Sequence, residues 1–333
     1  MTVAASFDKS QSINNYKLLS VIVILSVATT FAFLVGSGFY GYGSDFYVAY
    51  YKSNLVWGSI FDRYGYFVAT FTVWNTHLGV HIVTFILSVS VGFLLREFSM
   101  FKRDYSIIFL ILLYLISLHT WPIIMSTSNA MRQGLAMSFM FLVLITSYQK
   151  KYFWMIIFSF AAIFMHKSGI ILITIIFFSV FINLVLEKFS HKSKLLIHFL
   201  FGLTLLTSAY CFLSINIREY QFIAGMPSKI IHGDFRFAFV LISIVYVILT
   251  FYFRKLSDNP INISLFYYSF ISLSILMNGL NWEYERLGMM MLIPYILSIG
   301  ILFNRTSYRT YLIFSFLLLL FLTIYMGMYA SLK

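Results

Sequence analysis

Charge is scarce in this chain: Asp, Glu, Lys and Arg together make up 10% of its 333 residues. Water-soluble domains carry about a quarter charged residues, so a soluble globule is excluded. There is one cysteine, Cys211. It allows no disulfide within the chain and, set in an apolar run, says nothing of redox compartment. Short segments of alternating polarity are missing too, which excludes an outer-membrane barrel. The apolar run from Val21 to Val35 is followed by Gly36-Ser37-Gly38-Phe39-Tyr40, not by a small-x-small cleavage site, so it is expected to stay as a first span. No internal repeat and no low-complexity tract is visible. A repeat-built transporter would show matching hydropathy in its two halves.

What the chain does have is 61% hydrophobic residues, 20% of all residues aromatic, and a mean hydropathy of +0.89. Apolar runs of about twenty residues recur from end to end, the length that crosses a bilayer as a helix. The expected fold is an all-α polytopic integral membrane protein, the whole of 1–333 forming one transmembrane domain. About eleven spans (10–12) are expected, near 17–36, 77–95, 105–125, 131–148, 152–166, 168–186, 195–215, 236–253, 261–280, 287–303 and 310–329. Those at 131–148 and 152–166 are short, so tilt or partial insertion is expected there.

The net charge of +12 does not point to nucleic acid, because the basic residues are dispersed in short loops. Arg96, Lys102 and Arg103; Lys150 and Lys151; Lys188, Lys192 and Lys194; Arg254 and Lys255; and Arg305 and Arg309 alternate with loops poorer in cations. With Lys9 and Lys17 they put fourteen of the 23 cations on one side and nine on the other. By the positive-inside rule the amino terminus is cytoplasmic and the carboxyl terminus outside. The outer side then holds the segments about 37–76 and 216–235, and six of the eleven acids: Asp45, Asp62, Glu219, Asp234, Glu283 and Glu285. Residues 64–76 are amphipathic enough to lie along the interface. Any chemistry is expected in a cavity facing outward.

Two motifs lie at the mouths of apolar spans. In Ser128-Asn129-Ala130-Met131-Arg132-Gln133-Gly134-Leu135-Ala136, Asn129, Arg132, Gln133 and Ala136 follow a helical i, i+3, i+4, i+7 spacing and share a face. Ser128 or Asn129 can cap that helix. A helix start with free N–H groups, beside a planar and permanently charged guanidinium, suits a diphosphate. An arginine snorkelling to lipid phosphates is the plainer alternative. Gly134, Ala136 and Ser138 allow a neighbouring helix to come close. The second motif is Met165-His166-Lys167-Ser168-Gly169. His166 suits proton transfer, or a simple hydrogen bond to a terminal helix carbonyl; Lys167 reads as an interfacial lysine.

The pattern Asn-x-x-Arg-Gln-Gly-Leu-Ala, then a basic turn, then an aromatic-rich span ending in His-Lys-Ser-Gly, resembles the EpsG-like branch of the Wzy-type polysaccharide repeat-unit polymerases. The resemblance extends to Gly43-Ser44-Asp45, which matches the family's Gly-x-Asp after the first span, and to Arg286 in a late outer loop. The family's tyrosine after that aspartate has two counterparts here, Tyr47 and Tyr50, which bracket its place. The resemblance implies a bacterial inner-membrane glycosyltransferase with its site facing the periplasm. It would move a growing O-antigen or capsular glycan from its undecaprenyl diphosphate carrier onto a fresh lipid-linked repeat unit. Donor and acceptor are then both lipid-linked oligosaccharides, membrane lipids surround the protein, and a chain-length regulator protein is a further partner. No cofactor, metal or nucleic acid is implied.

On that reading the catalytic candidates are His166, Asp45, Arg132 and Arg286. Asp45 serves either as base or as salt-bridge partner of an arginine. Substrate-binding candidates are Asn129, Gln133, Lys167, Tyr47, Tyr50, Trp282 and Tyr284. Trp282 and Tyr284 suit stacking on sugars or an interfacial aromatic belt, and Glu283 with Arg286 makes an i, i+3 ion pair. His77 and His81 have the i, i+4 spacing of a zinc pair, but the Glu of His-Glu-x-x-His and a third ligand are missing. Two rivals come from other classes: a flippase for the same lipid-linked substrate, which calls for polar groups through the membrane depth, and a membrane O-acyltransferase.

Overall fold

A computed structural model describes residues 2–43, 46–47, 76–99, 107–128, 130–166, 169–224, 242–248, 250, 260–277, 282–303 and 317, with the backbone only in stretches such as 2–17 and 282–287. Among these residues the fold is all helix, with no strand. The helices are α1 (Thr2–Gly36), α2 (Thr76–Ser99), α3 (Ile107–Leu118), α4 (Trp121–Ser128), α5 (Met131–Tyr148), α6 (Tyr152–Met165), α7 (Gly169–Val185), α8 (His191–Ala224), α9 (Pro260–Met277) and α10 (Trp282–Phe303). A further helical stretch covers 242–248.

Among the described residues, four helical segments are long and apolar enough to cross a membrane: Leu18–Gly36, His77–Phe98, Gly169–Lys188 and Ser193–Phe212. The pair α3 and α4, bent by 56°, has the length and composition for a fifth as one broken span, or for a re-entrant loop. The sequence reads there as one span, 105–125. The chain breaks because Pro122 has no N–H to give to Leu118 and its ring crowds that carbonyl. Thr120 restarts the ladder, its carbonyl accepting from the N–H groups of Ile123 and Ile124 at 3.1 and 3.3 Å. The 14 residues of α6 reach only about 21 Å, short of a hydrocarbon core about 30 Å thick. The expected span 310–329 lies outside the described residues apart from Leu317.

Helix ends are set by local chemistry. After α1, Gly38 takes the left-handed conformation (φ 82°); its N–H reaches Val35 O and that of Phe39 reaches Leu34 O. This double bond to the last turn is the Schellman stop, which a residue without Cβ adopts at no steric cost. The same stop ends α5 with Lys150 at φ 57° and Lys151 N–H on Thr146 O.

The chain groups into two compact units. One holds the described residues of Met1–Phe141 together with Phe164–His166; the other holds Leu142–Ile163 and those of Lys167–Leu302. In the first, α1 packs on α2, and α2 on α3 and α4. Gly92 admits Ile24, and Tyr114 donates to Ser88 O at 2.7 Å. In the second, α9 packs on α7 and α8. His198 Nδ1 meets Tyr267 Oη at 2.7 Å, and Tyr246 donates to Asn262 Oδ1 at 3.3 Å, which also accepts from Ser298. These hydroxyls find their partners inside the protein, where lipid would offer none.

Candidate active site

The first motif stands at the start of α5. The Ala130 carbonyl accepts the first bond of the helix, from Gly134 N–H at 3.1 Å, so Arg132 and Gln133 occupy its first turn. Arg132 is half-buried and Gln133 buried. Of the two caps the sequence offers, Ser128 does something else: its hydroxyl donates to Ile124 O at 2.8 Å, inside α4. Asn129 lies outside the described residues. Gly134 lies against the Ser126 carbonyl, where an added Cβ would collide. That contact, between α5 and the preceding helix, is the close approach its small residue foretold. Ala136 and Ser138 are buried on the same helix.

A backbone bond joins this junction to the segment after α1. Gly43 N–H donates to Ser128 O at 3.4 Å, and Phe46 N–H donates to Gly43 O at 3.1 Å. The residues flanking position 45 are thus tied to the residue preceding position 129. Asp45 and Tyr50 themselves lie outside the described residues. Phe46 is buried and Tyr47 is 49% exposed.

Residues 36–47 and the start of α2 build a cluster that sequence spacing does not announce. Tyr42 donates to Gly36 O at 2.6 Å and meets His77 Nδ1 at 2.8 Å. Its ring stacks on Phe46 at 4.3 Å, and Tyr47 and His77 stand edge-on to it at 6.3 and 5.1 Å. Burial holds the Tyr42 hydroxyl above the ordinary phenol range, with Tyr47 adding to the effect. Burial also pushes Tyr40 up to about 12. Both stay neutral donors at physiological pH. Farther down α2, His81 Nδ1 donates to Ala32 O at 2.8 Å, and the ring fills the space left by the missing Cβ of Gly36. His77 and His81 therefore aim their Nδ1 atoms at different partners. Among the described residues no three metal-ligating side chains come together.

His166, just past α6, is half-buried and groups with the first unit, although most of its helix groups with the second. One unit thus contains His166, Arg132, Gln133 and Tyr47. Arg286, Trp282 and Tyr284 lie in the opening turns of α10, in the second unit, with only their backbone described. Lys167 is outside the described residues. Sequence reasoning missed Tyr42 as the partner of His77, because 35 residues separate them and neither forms a periodic pattern with the other.

Comparison with protein families gives a match to the EpsG family over residues 16–332. The chain belongs to the EpsG family. The match takes in nearly the whole chain, so it covers every candidate residue, from Asp45 to Arg286. Comparison with curated proteins and with solved structures gives no match. EpsG membership and the apolar helices together make this a polysaccharide-related membrane protein.

Proposed function

We propose that this EpsG-family chain is a glycosyltransferase that polymerises undecaprenyl-diphosphate-linked oligosaccharide repeats at the periplasmic face of the bacterial inner membrane. The observation that carries the reading is the junction of Gly43 with Ser128, beside the first turn of α5 with Arg132 and Gln133, in the unit that also contains His166. A permanently charged arginine near lipid is costly unless it meets an anion or a polar cavity.

In the reaction a hydroxyl of the acceptor repeat attacks the anomeric carbon of the donor glycan. A glycosidic C–O bond forms, the bond to the carrier diphosphate breaks, and the diphosphate leaves with the electron pair. The hydroxyl proton passes to a base, His166 or Asp45. Arg132 and Arg286 take the negative charge that develops on the leaving group, a task suited to a planar bidentate fork. No metal is needed in this scheme, because guanidinium groups supply the positive charge.

The test is the glycan profile of cells lacking the protein, joined to an assay of the purified enzyme. Single repeats on the lipid core are expected, with polymer formed in vitro from lipid-linked repeats in excess EDTA. Absence of any repeat would mean a transporter, and a full ladder lacking acetyl groups an acyltransferase. Activity lost in EDTA and restored by one divalent ion would overturn the metal-free scheme.

A further inference from the structure

The Tyr42–His77 pair selects one tautomer of the neutral imidazole. A phenol has one proton to give, and Tyr42 gives it to Gly36 O at 2.6 Å. At 2.8 Å from His77 Nδ1 the phenol oxygen can then only accept, so Nδ1 carries a proton, and in the neutral imidazole Nε2 keeps the lone pair. His77 is exposed, and among the described residues no hydrogen bond reaches Nε2. The ring is held on two further sides, by Tyr42 at 5.1 Å and Phe46 at 5.6 Å. An oriented acceptor thus stands on an aromatic support that also carries Tyr47, 49% exposed and edge-on to both Tyr42 and Phe46. Such a pairing of an aromatic face with a fixed hydrogen-bond acceptor matches a pyranose, which offers C–H faces and hydroxyl donors together. The bond of Gly43 to Ser128 sets this patch beside the α4–α5 junction.

We infer that Tyr42, His77 and Tyr47 form a saccharide subsite in which His77 Nε2 accepts a hydrogen bond from a sugar hydroxyl of the lipid-linked repeat while the sugar ring lies against Tyr47. This rests on the function proposed above. His77 is the ligand-touching residue, and Tyr42 is a positioning residue that acts through it.

The probe is the free oligosaccharide repeat released by mild acid from the cells' own lipid-linked pool, added to the full-length protein in detergent with ring-¹⁵N-labelled histidine. The His77 signals should show the Nδ1–H tautomer and shift on adding saccharide. Tyr42→Phe, which keeps the ring and removes only the hydroxyl, should release the tautomer. Both it and Tyr47→Ala should weaken saccharide binding about tenfold, the scale of one such contact. Undecaprenyl diphosphate alone should bind all variants equally. Unmoved His77 signals, or undiminished saccharide binding by Tyr42→Phe, in an enzyme that still polymerises would overturn the subsite and leave the polymerase reading standing. Saccharide bound at His77 by a protein that never extends it would support the subsite and remove the polymerase. A protein that neither binds saccharide nor polymerises would end both.

Discussion

At the scale of single residues, the two arginines and the two candidate bases make separable demands. A diphosphate leaving group needs paired N–H donors in one plane, which lysine lacks, so charge alone should not suffice. Arg132→Lys is therefore expected to lose most polymerising activity, as is Arg286→Ala, with both proteins inserted at normal levels; near-normal polymer from Arg132→Lys would show that only charge is used there. Proton transfer by His166 would make His166→Ala slower by roughly a hundredfold or more, and the acidic limb of the pH–rate profile should vanish with it. Asp45→Asn separates two roles in the same assay. If Asp45 is the base, turnover falls while donor binding stays. If it holds an arginine, donor binding weakens first. A His166→Ala enzyme with normal polymer length and an unchanged pH profile would take histidine out of the mechanism.

Elements show how far sequence alone reaches. Apolar length was enough to place α1, α2, α7 and α8, because a run of about twenty lipid-compatible residues has one good solution. Helix ends beyond the apolar run were not legible: α1 starts at Thr2 rather than near 17, and α8 continues to Ala224. Hydropathy stops reporting where a helix leaves the apolar run. The bend between α3 and α4 went unread, since Pro122 sits inside an apolar run and composition alone does not register its missing N–H. Tyr42 with His77 is a tertiary pairing that no local period encodes. Gly134, in contrast, was readable, and it is the element contact most open to test. Gly134→Ala puts a methyl on the Ser126 carbonyl, backbone that cannot swing aside, so α4 and α5 must separate. The expected cost is about 1–3 kcal/mol, the usual range for overpacking. A lowered melting midpoint in detergent, with activity falling in parallel, would be the sign; an unchanged midpoint would mean that the two helices do not approach so closely.

For the whole molecule, orientation decides whether the proposed chemistry has access to its substrate, and it rests on fourteen cations against nine. The asymmetry is modest, but the cation-rich clusters recur in every second loop along the expected topology, which ties the orientation to several loops rather than to one. Lys150 and Lys151 follow the stop of α5, whereas Arg132 lies at the opposite end of the same helix. That helix therefore couples the two questions: if its cationic end is cytoplasmic and it crosses the membrane, Arg132 is at the outer surface, where a lipid-linked repeat would present its diphosphate. Reporter fusions after Lys151 and after Lys194 should accordingly be active only as cytoplasmic reporters. Fusions after Asp45 and within 218–234 should be periplasmic. A periplasmic signal at Lys151 would turn Arg132 to the cytoplasm and end the polymerase reading, since the acceptor and donor would then lie across the membrane from the site.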